Sequence, residues 1–327
     1  LLRRVGEYSP RTSAIPRKEA GLLYLALAVL CSTSIALIFK FSESRGMNRY
    51  VVTTANYMVA SSVSLALLLQ GGVLGSAGPG TVGAFIDELP RAVSGAGFGP
   101  QGSLGWAAMV GIPAGVLYFL GFIYLQKGVR ESGVSLAGSF SKLGVLVPMA
   151  LSILIWHEVP TGVQWVGIAL ALGSILLANL DVAHPRRAFS AFSPVLIMLF
   201  LIVGLAEFSN KVYQRYGSLE AKSLFLLFVF GVALLVSLIR SLRSRRIRLA
   251  HFLTGLAVGV PNYFASHFLI LSLSRLRTAV VFPIYSAMTI VLISLAGWLV
   301  FGERLRPRER LAVALTVVAL VLVNLQR

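Results

Sequence analysis

Hydrophobic residues fill ten long stretches of this chain, and polar residues collect between them. The stretches run over about 20–39, 50–70, 104–126, 132–155, 161–181, 193–214, 219–240, 250–274, 277–301 and 308–325. A helix rises about 1.5 Å per residue, so about 20 apolar residues cross the hydrocarbon core of a bilayer. The apolar residues are continuous within each stretch and do not alternate. That predicts membrane-spanning helices and excludes a membrane β-barrel.

The ten stretches fall into two sets of five that share landmarks. Lys40, Gly111-Ile112-Pro113, Glu158 and Asn179-Leu180 of the first half recur as Lys211, Gly259-Val260-Pro261, Glu303 and Asn324-Leu325. The step from Glu to Asn is 21 residues in both halves. Each Lys is followed six residues later by a glycine, Gly46 or Gly217. Five is odd, so the second half enters the bilayer from the opposite face. The prediction is an all-α polytopic membrane protein of ten transmembrane helices, arranged as two inverted-topology five-helix repeats, the plan of secondary transporters. The expected divisions are a basic tail over 1–19, a first repeat over 20–181 and a second over 193–326. A segment at 71–103 has no counterpart in the second half, and ten of its residues are glycine. It reads as a linker, or else a lid or partner site, with a short amphipathic piece at Phe85–Ala92.

Composition narrows the function. The chain is 57% hydrophobic and 13% charged, against about 25% charged in soluble domains. The net charge of +17 is scattered over short loops, such as Arg243, Arg245, Arg246 and Arg248. Such clusters contact anionic headgroups and do not form a nucleic-acid face. Basic loop residues are close to balanced on the two faces, as inverted halves require. Cys31 stands alone and cannot form an internal disulfide. The four histidines show no metal-ligand spacing, and no nucleophile, Walker or zincin motif is present. No enzyme activity, cofactor or metal is expected.

Charges within a span are costly and mark a pathway or a partner. Four stand out here: Lys40, Lys142, Glu207 and Lys211. Glu207, Asn210, Lys211 and Gln214 lie on one helical stripe, with Glu207 spaced to pair with Lys211. Glu207 is the candidate proton or cation site. Lys40 and Lys211 are near enough to span ends to snorkel. Lys142, about 12 Å into its span, is not. Pro113 and Pro261 are candidate hinges, because paired interruptions in the two halves point to a midplane site. Asn262, Tyr263 and His267 follow Pro261, and Asn56, Tyr57 and Tyr285 add polar groups to other spans. These residues, with Lys142, Asn210 and Lys211, are the candidate cavity lining.

The pattern resembles the ten-span EamA-type members of the drug/metabolite transporter superfamily. The resemblance rests on Ile38-Phe39-Lys40, Asn210-Lys211, Trp156-His157-Glu158-Val159-Pro160 and Phe301-Gly302-Glu303-Arg304-Leu305. It covers about residues 20–326, and here His157 stands where the family usually has glycine. The resemblance implies alternating access by two inverted halves, with spans one to four and six to nine around a cavity. The solute would be an amino acid, a related metabolite or a drug, exported or exchanged. The glutamates would serve helix-end hydrogen bonding. The plasma membrane of a bacterium is the expected location, and a homodimer is compatible. The alternatives are a channel or uniporter on the same fold, or an exchanger of sugar or nucleotide-sugar type.

Overall fold

The computed structural model describes residues 17–76, 78, 80–132, 134–179, 193–242, 248–301 and 307–324. The tail through residue 16, Glu303, Leu180 and Leu325 lie outside the described residues. The first-half helices are α1 (Arg17–Ser44), α2 (Arg49–Gln70), α3 (Thr81–Val93), α4 (Gly102–Ser132), α5 (Val134–Leu143), α6 (Leu146–Trp156) and α7 (Gly162–Asn179). Those of the second half are α8 (Pro194–Tyr216), α9 (Lys222–Leu242), α10 (Leu249–Leu273), α11 (Thr278–Phe301) and α12 (Pro307–Asn324). Among the described residues there is no strand. The ten spans are these helices without α3, and with α5 and α6 joined as span four. Among the described residues, six of the spans are long and apolar enough by length and composition to cross a bilayer. The remaining apolar helices are α5 with α6, α7, α11 and α12, at matching places in the two halves.

Local chemistry sets the ends. The Asn48 side chain accepts from the amides of Tyr50 at 3.0 Å and Val51 at 3.4 Å, which caps α2. Pro194 starts α8, where its missing N–H costs nothing. α6 stops at His157, whose φ of 53° is left-handed. Glycine takes that conformation without the Cβ clash, so His157 carries a small strain. His157→Gly is expected to stabilise the protein by about 0.5–1 kcal/mol, read as a higher melting temperature in detergent.

The halves interleave. α1 packs along α10, and its repeat partner α8 packs along α4. α2 packs along α10, and α9 along α4. α2 meets α9, and α7 meets α12, so corresponding helices of the two halves pair. The helices of the two halves therefore share one packed interior. Small residues set these contacts. A Cβ at Gly111 would lie 2.7 Å from Phe228 Cβ of α9, and one at Gly259 would lie 2.7 Å from the Asn56 carbonyl of α2. Gly115 and Gly255 extend the same two seams.

The expected paired interruptions at Pro113 and Pro261 are not observed: both prolines sit inside continuous helices. Each removes one ladder hydrogen bond, and the close packing at Gly111 and Gly259 holds the rest. The break falls in span four, between Leu143 and Leu146. Pro148 cannot donate to the Gly144 carbonyl, which accepts from Val147 at 2.9 Å in a tighter turn. Gly144 at the break lies against Phe200 and Gly204 of α8.

Candidate functional site

The break in span four places Lys142 in the last turn of α5, facing the interior. There a cavity of about 180 Å³ is walled by α4 through Leu117, Tyr118, Gly121 and Phe122, by Ser141 of α5, and by Val203 and Glu207 of α8. A smaller one, about 40 Å³, lies beside it and shares Ser141, Val203 and Glu207. Its other walls are Lys142 and Val145 at the break, and Phe282, Tyr285 and Ser286 of α11. Glu207 and Lys142 thus line one space from different helices, and no ion pair joins them among the described residues. Spans five and ten line neither cavity. They pack on each other through the Thr316–Ser174 hydroxyl bond of 2.8 Å and Gln164 donating to the Val323 carbonyl at 3.3 Å.

A polar chain runs away from Glu207. The Asn210 amide donates to Glu207 at 3.4 Å and to the Tyr118 hydroxyl at 3.0 Å. That hydroxyl also meets Ser266 Oγ at 3.4 Å. Tyr57 donates to the Tyr118 carbonyl at 3.4 Å. Asn210 Oδ1 is buried without a partner, an acceptor left open beside the carboxylate.

Other candidates fall elsewhere. Asn262 donates to Asn56 at 3.1 Å, an amide pair closing the α2–α10 seam. Tyr263 is fully buried, and its hydroxyl bridges Ser223 and His267, each at 3.1 Å. His267 is packed among the rings of Phe264 and Phe268. Neither group lines the two cavities.

The expected pairing of Glu207 with Lys211 is corrected. Lys211 Nζ reaches Glu158 Oε1 at 2.7 Å and lies 5.6 Å from the Trp156 ring. The four-residue spacing allowed the local pair, but the side chain turns to the α8 end, where a carboxylate and an aromatic face wait. Glu158 Oε2 accepts the Thr278 amide at 3.1 Å, the helix-end role expected of it. Burial raises the Glu158 carboxyl. The hydrogen bond and charge of Lys211, with the Thr278 amide, more than offset this and hold it below the ordinary carboxylate range. Three segments therefore meet at the face that bears the termini: the α6–α7 loop, the end of α8 and the start of α11.

Tyr118 and Ser266 were missed as candidates. The repeat register could have found them. Each lies five residues after the shared proline of its half, Pro113 or Pro261, and the two hydroxyls meet.

The sequence pattern of the EamA-like transporter family matches residues 19–180, the first five spans. An uncharacterized protein of Haemophilus influenzae (strain ATCC 51907 / DSM 11121 / KW20 / Rd) is 22% identical over 304 residues, which cover 90% of this chain and 95% of that one. A solved crystal structure of a protein that is 15% identical has a TM-score of 0.68, covering 94% of this chain and 97% of its own, which shows a common fold.

Proposed function

This chain belongs to the EamA-type transporters of the drug/metabolite superfamily, as an integral membrane protein, and from that premise we propose that it moves a small zwitterionic metabolite, such as an amino acid, by alternating access. The observation that carries this reading is the pair of opposite charges, Glu207 and Lys142, on the walls of one interior space. A buried ion without a direct partner is costly. A zwitterion would relieve both, its carboxylate toward Lys142 and its ammonium toward Glu207 and the open Asn210 Oδ1. Leu117, Phe122 and Phe282 supply apolar walls for a side chain. Tyr285 and Ser286 add hydroxyls from α11, the repeat partner of broken span four. We place the protein in a bacterial plasma membrane, exporting or exchanging its solute.

Counterflow in proteoliposomes tests the class of solute. Neutral amino acids are expected to exchange, while their methyl esters and N-acetyl derivatives, which each lack one charge, do not. Equal transport of all three would remove the two-charge recognition. Accumulation that ignores an imposed proton gradient would favour a uniporter on the same fold.

A further inference from the structure

The α-helix of the unrepeated segment is α3, and its faces divide three ways. With about 100° between successive helical residues, Phe85, Glu88 and Ala92 share one side. This side is held by the protein. Phe85 stacks on Phe98 at 5.2 Å, Phe98 stacks on Trp106 at 5.2 Å, and Glu88 accepts the Gly99 amide at 2.7 Å. Val82, Ile86 and Leu89 form a second stripe roughly 90° away. All three are exposed, at 69%, 59% and 37%. Asp87 and Arg91 make a third face, roughly 140–180° from the apolar stripe.

The place of this helix decides what meets the apolar stripe. Phe85 lies against Gly105 of α4. Met109, Ile112 and Val116 continue from Gly105 along the same face of α4, and all are exposed apolar residues of a membrane span. α3 therefore sits at the head of a lipid-facing stripe and lines neither interior cavity. The Phe98 amide donates to the Tyr216 carbonyl at 2.7 Å, and Ser103 Oγ accepts from the Ser218 amide at 2.9 Å. These bonds tie the segment to the end of α8, at the membrane surface. Protein lies on one flank, charged residues are opposite the apolar stripe, and the lipid belt continues beside it. That is the division an interfacial helix requires.

We propose that α3 is an interfacial helix that docks on the bilayer itself, with Val82, Ile86 and Leu89 inserted at the boundary of headgroups and acyl chains. It is neither an idle linker nor a lid over the cavity. It holds the α4 and α8 ends, the latter beside the Lys211–Glu158 pair, at a set depth.

The test uses full-length protein in phosphatidylcholine vesicles, with Cys31→Ser and one new cysteine carrying an environment-sensitive fluorophore. Ile86→Cys is expected to give blue-shifted emission, quenched by lipids with a spin label high in the acyl chain and untouched by aqueous iodide. Asp87→Cys is expected to give the reverse. Val82→Cys and Arg91→Cys form a second pair with the same expectation, should a label at 86 or 87 disturb folding. Iodide quenching at 82 and 86 equal to that at 87 and 91 would overturn the proposal. So would shielding of 82 and 86 from both quenchers, which would mean a protein occupant.

Discussion

Glu207→Gln is expected to weaken solute binding by about 10- to 100-fold and to abolish proton-driven accumulation, with the protein still folded. Glutamine keeps the size of the side chain and its bond to Asn210, so the helix contacts of α8 survive. It loses the charge. A hydrogen bond to a charged group is worth roughly 1.5–3 kcal/mol, and each 1.4 kcal/mol is tenfold in affinity. Glu207 lines both cavities, so no other acid among their walls can substitute for it. Lys142→Met is the matching control. It is expected to lose the zwitterion as well, because the cation that would face the carboxylate is gone. The measurement is thermal shift for binding and counterflow, with and without a proton gradient, for transport. Transport by Glu207→Gln with an unchanged pH profile would remove the coupling role.

Breaking the Lys211–Glu158 pair is expected to be the most destabilising single change at the face bearing the termini. Lys211 is 5% exposed and Glu158 21% exposed. Glu158→Ala leaves a buried ammonium unpaired and the Thr278 amide without its acceptor. Loss of one partner of a buried pair costs roughly 3–5 kcal/mol, reduced to about 2–3 kcal/mol by the partial exposure of Glu158. Lys211→Met is expected to cost less, because Glu158 keeps the Thr278 amide and part of its hydration. The double variant is expected to be no worse than Glu158→Ala, the mark of a coupled pair, and additive losses in a double-mutant cycle would show that the pair contributes nothing of its own. The pH dependence has a definite sign. The Glu158 carboxyl is held below its unfolded value of about 4.3, so its contribution is complete above that value. It is lost as pH falls below about 4 and through the folded value, and Glu158→Ala should flatten that acid limb.

The spans were legible because a bilayer admits one answer. A run of about 20 apolar residues has no water for its backbone and must be helical. The inversion was legible because five crossings per half is a matter of counting. Lys142 and Glu207 stood out because charge is rare in such runs. The break in span four was harder to see than Pro113 and Pro261. Pro148 and Gly144 act together there, whereas an isolated proline passes inside a well-packed helix.

The partners of the charges were not legible. Lys211 has Glu207 four residues before it and Glu158 53 residues away, and it pairs with the distant one. Asn56 with Asn262, and Tyr118 with Ser266, are likewise joined across the repeats. The sequence by itself determined that the chain is a ten-span membrane protein of two inverted halves, and it marked the ionisable groups that lie within the spans. Only the tertiary structure decided which of these share the interior space, which latch the helix ends, and that the unrepeated α3 lies outside the bundle. The reason is physical. Hydropathy and crossing number are properties of the chain read in order, whereas ion pairs and cavities form between helices of opposite halves that no local spacing relates.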